Sequence, residues 1–370
     1  MKKITAAAAI AIGGISTVQA ATSVTLYGMV DAGIAYQRAS GTWNGESYKA
    51  TKFGLVSGGQ SQSRWGITGV EDLGDGWSAV FQIENGFDLQ NGQASQAGRL
   101  FGRQATVGLK SDVLGTLEFG RQANIASKYG NPIVDPFNAG YTQSAAGTSF
   151  SSMNTTRYDN MALYRSPDMG GFQFGLGYSF AVDGTQSWKI DGHPTDDGKA
   201  VTTGLSYKHG PFSAFASYDQ VKFDASSVTV KEWIVGGAYD FDVAKISAAF
   251  GKTQDGWFAG RNFGTLSTGT FVMAEGLDVN SYLVALAIPA GNGQISASWQ
   301  MADPRSGATA STGVGFVGDD LSKQQVYSLG YMYNLSKRTN FYVYGSYARH
   351  ALFQEDLDAT VLSMGIRHRF

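Results

Sequence analysis

Polar and apolar residues alternate with a period of two along most of the chain, and helical periodicity is absent. From Ser23 to Tyr36, Val24, Leu26, Val30, Ala32, Ile34 and Tyr36 share one face. Thr25, Tyr27, Asp31 and Gly33 take the other. Phe172, Phe174, Leu176, Tyr178 and Phe180 alternate with Gln173, Gly175, Gly177 and Ser179. Leu362, Met364, Ile366, His368 and Phe370 alternate with Ser363, Gly365, Arg367 and Arg369. Side chains of an extended strand point to opposite faces in turn. Each stretch therefore predicts a strand with one apolar face and one polar or glycine-rich face. A soluble sandwich turns its apolar faces inward. A membrane barrel turns them to lipid and its polar faces to a wet interior. Aromatics near predicted strand ends favour the barrel, because they fit girdles at the two lipid–water boundaries. They are Tyr27, Tyr36, Trp65, Trp77, Tyr164, Tyr178, Tyr207, Trp233, Tyr239, Trp299, Tyr333 and Tyr347.

The links between strands alternate in length. Short links rich in Gly, Pro, Asp and Asn run from Glu71 to Gly76, Asp112 to Gly115, Pro167 to Gly171, His209 to Pro211, Asp240 to Asp242, Pro289 to Gly293 and Leu335 to Arg338. Longer polar links run from Arg38 to Gln62, Leu89 to Gly98, Ala123 to Thr156, Ala181 to Gly198, Asp224 to Thr229, Gly256 to Asp278, Pro304 to Lys323 and His350 to Asp358. Seven short and eight long links join sixteen strands, an even number with one short-looped end. The predicted fold class is all-β: a transmembrane 16-stranded antiparallel β-barrel, wide enough for an aqueous channel.

The first twenty residues do not share this pattern. Lys2 and Lys3 precede a short apolar stretch from Ile4 to Ile15, and Val18-Gln19-Ala20 offers small residues for cleavage. Residues 1–20 read as a secretory signal peptide, too short for a membrane anchor, leaving one domain at 21–370. No later stretch reaches the 18 consecutive apolar residues of a spanning helix. The 370 residues include 49 Gly and no Cys, so disulfides and thiolate metal sites are excluded. Closure of the sheet supplies the stability instead, since every backbone group then pairs. Only 16% of residues are charged and mean hydropathy is −0.15, the average of an apolar belt with a polar lumen and loops. Net charge is −2 without a basic block, which removes nucleic acid as a partner.

In its ordered motifs the chain resembles the general porins of beta-proteobacteria, the Gram-negative outer-membrane diffusion channels. Matching stretches are Ser23-Val24-Thr25-Leu26-Tyr27-Gly28, Arg64-Trp65-Gly66-Ile67-Thr68-Gly69-Val70-Glu71-Asp72-Leu73-Gly74, Arg103 to Leu109, Phe119-Gly120-Arg121-Gln122 and Arg157-Tyr158-Asp159-Asn160. Leu335 to Thr339 and Gly365 to Phe370 complete the set. The resemblance implies an outer-membrane homotrimer passing small hydrophilic solutes and inorganic ions by passive diffusion. It implies that the third long loop, residues 123–156, folds inward and constricts the pore. Pro132 and Pro136 would stiffen that loop, and Phe137 would pack its tip against the wall. The terminal Phe370 resembles the signal read by the barrel assembly machinery. Family members that favour anions carry an arginine cluster on the wall facing this loop. The matching positions are Arg64, Arg103 and Arg157, with Arg121 nearby in sequence.

Alternation tests these positions independently. Trp65, Ile67 and Gly69 face lipid, so Arg64 faces the lumen, and Arg157 and Asp159 follow the inward parity of their strand. Arg103 shares parity with Ala105, Val107 and Leu109, and Arg121 with Leu117 and Phe119, so strict alternation points both at lipid. A bulge would reset the phase, and a lipid-facing Arg near the midplane would cost about 2–4 kcal/mol. Glu84 lies opposite in parity to Phe81 and Ile83, hence in the lumen, and Glu118, Asp135 and Asp159 join it as the acidic side. Clustering of Arg predicts mild anion preference despite a net charge of −4 once Lys2 and Lys3 are removed. Gly28, Ala32 and Gly345 are small outward residues suited to a trimer contact. The four His residues lack metal-ligand spacing, so no metal or cofactor is expected. The alternatives are a barrel enzyme of lipase or esterase type and a barrel whose loops bind a ligand as an adhesin. The first lacks a nucleophile-elbow pattern, and His209 and His350 fall at turns or loop edges, which disfavours a wall-mounted triad.

Overall fold

The computed structural model describes residues 23–370 apart from 44, 155, 194, 314, 315 and 319, and the expected leader lies outside the described residues. Eighteen strand segments form one sheet in which every ladder is antiparallel. Two of them are consecutive pieces of one strand, and a third, Ala310–Ser311, is a two-residue piece inside a loop. Sixteen strands therefore close the barrel, as the alternation of links requires. In chain order they are β1 (Ser23–Trp43), β2 (Glu46–Ser57 and Arg64–Gly74), β3 (Trp77–Gly86), β4 (Gln104–Ser111), β5 (Gly115–Ala123), β6 (Arg157–Arg165), β7 (Phe172–Ser179) and β8 (Gly198–His209). They continue as β9 (Phe212–Phe223), β10 (Thr229–Asp240), β11 (Lys245–Ala259), β12 (Thr270–Ala290), β13 (Gly293–Ser306), β14 (Gln324–Asn334), β15 (Thr339–Arg349) and β16 (Asp358–Arg369).

Closure is made by the two ends of the chain. β1 pairs with β16 from Met29↔Arg369 to Ser40↔Asp358. The N–H of Gly28 donates to the carbonyl of Phe370 at 3.1 Å, and that of Phe370 donates to Gly28 at 3.0 Å. With no open edge, the sheet leaves no unpaired backbone row facing lipid. The alternation also holds. Leu362, Met364 and Ile366 are exposed to the outside, while Ser363 and Arg367, at alternate positions, are buried. In β15, Phe341 and Val343 face out between the buried Asn340, Tyr342 and Tyr344.

Two long links are shorter than their sequence predicts. Most of Arg38 to Gln62 is strand: β1 runs to Trp43 and pairs with β2 down to Trp43↔Glu46, leaving an interruption at residues 58–63. Gly256 to Asp278 is likewise mostly strand, since β11 extends to Ala259 and β12 starts at Thr270. Along these ends the alternation weakens although the ladder continues: exposed Lys49 and Thr51 interrupt β2, and consecutive apolar residues, Trp257 with Phe258 and Val272 with Met273, are buried in β11 and β12. Tyr27, expected in the girdle, points inward, and its hydroxyl donates to Glu84 at 3.0 Å.

The β1–β16 seam has little room. A Cβ on Gly33 would stand 2.2 Å from the Met364 carbonyl oxygen across the seam. Overpacking of this kind costs about 1–3 kcal/mol. Gly33→Val should lower the temperature at which the folded form disappears in a heat-modifiability gel. An unchanged transition would mean that the seam does not limit stability.

Candidate functional site

The loop between β5 and β6 packs on side chains of the strand wall. Its first turns, Ala126–Gly130 and Asn131–Val134, carry Pro132 in the opening helical turn. Ile125, Tyr129, Phe150 and Met153 bury against Phe215, Val230, Ile234 and Leu283, so the inward face becomes apolar where the loop covers it. Polar anchors fix the remainder. Asn124 Nδ2 donates to Asp219 at 2.8 Å, and the backbone N–H groups of Ser151 and Ser152 donate to Glu232. Wall side chains donate to loop carbonyls: Ser247 to Val134 at 2.9 Å, Ser281 to Ser149 at 2.6 Å and Gln324 to Thr148 at 3.1 Å. Each anchor satisfies a buried group that water cannot reach.

The loop tip is folded on itself. Asp135 is buried and accepts N–H bonds from Phe137 (2.9 Å), Ala139 (2.9 Å) and Ala146 (3.0 Å). It is a staple inside the loop and does not line the opening, contrary to its expected place on the acidic side. Burial lifts its carboxyl above the ordinary aspartate value, against the pull of those three N–H groups. Pro136 accepts from Ser296 through its carbonyl at 3.3 Å. Phe137 packs edge-on to Tyr141, centroids 5.4 Å apart, and both rest on Tyr342, Tyr344 and Val361 of the wall. The Tyr141 N–H donates to the Gln60 carbonyl at 3.2 Å, joining the tip to the interruption in β2. That interruption is held by Asp31 of β1, which accepts from the N–H of Gln60 (3.1 Å) and Ser61 (2.7 Å) and from the Tyr342 hydroxyl (2.7 Å).

Arginines line two cavities beside this loop, the first of them at its tip. One, of about 360 Å³, is lined by Arg64, Arg103, Arg261, Arg367 and Arg369 together with Asn138 to Thr142 of the loop. The other, of about 450 Å³, is lined by Arg99, Arg121, Arg157 and Arg261, with Asp183 its one acidic lining residue among the described residues. Glu84 sits beside the first and pairs with Arg103 at 2.6 Å and Arg64 at 3.6 Å. Arg157 Nε donates to the Arg103 carbonyl at 2.8 Å. Asp159 pairs with Arg121 at 2.5 Å and Arg99 at 2.9 Å. Glu118 lies apart and pairs with Arg165 at 2.9 Å. Lys128, on the loop, is pushed down to about 8 by burial and by Arg165.

The phase problem of Arg103 and Arg121 has two local causes. Arg103 precedes β4, which starts at Gln104, so strand parity does not reach it. At Arg121 the β5–β6 register shifts between Gly120 and Gln122, where Gly120 adopts φ 124° and Asn160 opposite adopts φ 46°. A bulge there sends the Arg121 Nε to the Gly102 carbonyl at 2.8 Å, beside the second cavity. Four arginines escaped the sequence reading. Arg367 and Arg369 share the polar parity of β16, a signal present but unused. Arg99 and Arg261 come from loops, where parity carries nothing.

A closed, lipid-facing barrel with a charged polar lumen defines an outer-membrane channel. The chain belongs to the Gram-negative porin family, whose sequence pattern it matches over residues 5–351. It is 45% identical to an outer membrane porin protein of Bordetella pertussis, over all of both chains. It is 30% identical to outer membrane porin protein 32 of Delftia acidovorans, over 98% of this chain and 92% of that one. The anion-selective porin from Comamonas acidovorans superimposes with a TM-score of 0.71 at 26% identity, covering 95% of this chain and 100% of that one. The protein is thus an outer-membrane porin and a passive diffusion channel for small solutes.

The Asp135 staple yields a direct test. Asp135→Ala strips three N–H groups of their acceptor, at about 1–3 kcal/mol for each left buried and unpaired. The loop tip should loosen, and open-channel noise and mean single-channel conductance should both rise. Conductance records indistinguishable from wild type would show that the staple does not shape the channel.

Proposed function

We propose that the channel conducts small anions in preference to cations through a constriction between residues 123–156 and the arginine wall. The carrying observation is the lining of the two cavities beside the loop: eight different arginines against a single acid, Asp183. Low-dielectric walls focus the field of such a cluster on the passing ion. Arginine keeps its charge at any working pH. Glu84 and Asp159 neutralise part of the cluster and hold its forks in place, which keeps the preference mild. The similar fold of the anion-selective porin from Comamonas acidovorans supports this reading by analogy. We also infer a homotrimer. One structural neighbour, an outer membrane protein of Vibrio cholerae, has a trimer form. An apolar groove of about 900 Å³ on the outer wall, lined by Ile34, Phe53, Leu329, Val343, Gly345 and Leu362, offers the contact surface. Phe370, fixed at the seam, would serve as the signal read by the barrel assembly machinery.

Reversal potentials in a salt gradient test the selectivity. The wild type should favour chloride over potassium, and Arg64→Glu combined with Arg103→Glu should move the reversal potential toward cation preference. A cation-selective wild type, or a double variant with no shift, would overturn the reading.

A further inference from the structure

Four consecutive strands, β8 to β11, each carry a lysine on the outer face of the barrel, near the end where the long links lie. Lys199, Lys222, Lys231 and Lys252 alternate with the buried Ala200, Val221, Glu232 and Thr253. They share parity with Leu205 of β8, Tyr218 of β9, Trp233 and Val235 of β10 and Phe250 of β11. Toward the long links, Lys231 lies two residues beyond Trp233, Lys252 two beyond Phe250 and Lys222 four beyond Tyr218. At about 3.4 Å per residue these steps are about 7 to 14 Å. The ammonium groups therefore stand just above the aromatic row that marks the edge of the hydrocarbon. Lys199 and Lys222 are direct cross-strand partners. Like charges placed directly opposite destabilise a sheet. Asp224 holds Lys199 at 2.5 Å and Asp278 holds Lys252 at 2.7 Å, while Lys222 and Lys231 have no ion-pair partner among the described residues. A cleft of about 200 Å³ opens on the outer wall here, lined by Tyr178, Lys199, Val201, Gln220, Lys222 and Asp224. Beneath it Tyr178 pairs with Val201 and Phe174 with Leu205, and the exposed Phe174, Leu176 and Leu205 continue the apolar surface downward.

We propose that this lysine row binds the phosphate groups of an acylated, phosphorylated glycolipid in the outer leaflet of the outer membrane, one acyl chain lying on the apolar track below the cleft. Phosphate is the anion that chemistry and location bring together: basic side chains at a membrane surface attract anionic headgroups. A lipid fits better than free phosphate, because the lysines share their face with lipid-facing side chains and the cleft opens onto an apolar surface. Asp224 and Asp278 fix two of the ammonium groups and leave Lys222 and Lys231, on neighbouring strands, to engage the headgroup. Lysine suits this role: its flexible stem lies along apolar surface while the charge reaches into the headgroup layer. Four strands cover three spacings of about 4.8 Å, about 14 Å in all, enough for a sugar headgroup with a phosphate at each end. These strands lie across the barrel from the β1–β16 seam and from the apolar groove inferred above to join subunits. A trimer built on that groove leaves the lysine row facing lipid. None of the four lysines lines the arginine cavities, so lipid binding and conduction are separable.

The test is native mass spectrometry of the purified, delipidated barrel titrated with diphosphoryl lipid A, with monophosphoryl lipid A and phosphatidylcholine as comparators. The wild type should bind the diphosphoryl lipid most tightly and phosphatidylcholine least. Lys199→Gln with Lys222→Gln, and separately Lys231→Gln with Lys252→Gln, should each weaken binding of the diphosphoryl lipid roughly twentyfold. Replacing all four lysines by Arg keeps the charges and should preserve the wild-type affinity. Heat-modifiable migration and single-channel conductance should stay at wild-type values in every variant, which shows that the barrel is folded. Lipid A binding no tighter than phosphatidylcholine, or equal affinity in wild type and both Gln pairs, would overturn the proposal. A loss with Arg as large as with Gln would show that charge is not what the row supplies, and would overturn it too. Displacement of the lipid by millimolar inorganic phosphate would assign the site to free phosphate instead.

Discussion

A backbone crossing hydrocarbon must pair every N–H and C=O within itself, and the rest of this structure follows from that constraint. A single sheet meets it only by closing, and here the closing ladder joins the first strand to the last. Closure fixes which face meets lipid, so the side-chain pattern inverts relative to a soluble sandwich: Leu362, Met364 and Ile366 outside, Ser363 and Arg367 inside. It also explains how an exported chain manages without Cys.

The inner face then becomes a polar surface that a loop can dock on. The loop between β5 and β6 docks in two ways. Its early part uses Ile125, Phe150 and Met153 on an apolar patch of wall, and its tip uses Phe137 and Tyr141 on a tyrosine shelf. Between these, Asp219, Glu232, Ser281 and Gln324 bind it through hydrogen bonds. The tip thus faces the interruption in β2, where Asp31 holds residues 60 and 61 and so places Gln62 within 2.6 Å of Arg103. Arginine placement in the lumen depends on this relay as much as on strand parity.

Parity and the alternation of links made the strands and their number legible from the sequence alone, and parity assigns Arg64, Glu84 and Arg157 to the polar face. It failed where the backbone departs from a regular ladder. In residues 38–52 Gly, Ser, Lys and Thr break the apolar alternation, so the upper parts of β1 and β2 read as loop. The bulge beside Gly120 moves Arg121 out of phase through a local backbone conformation that residue type announces only weakly. Asp135 read as a lumen charge because its three N–H partners are set by the fold of the loop. Arg99 and Arg261 arrive from loops whose paths are decided by contacts far away in sequence.

The central claim is that the loop tip stands in the conducting path opposite the arginines. A chain with no native Cys allows this to be measured at one atom. Asn138, exposed at the tip and lining the arginine cavity, is replaced by Cys, and single-channel current is followed while charged thiol reagents are applied. The account predicts a stepwise fall in conductance on reaction, with the negatively charged reagent reacting faster than the positive one. Full modification with no change in current, or faster reaction of the cationic reagent, would contradict it.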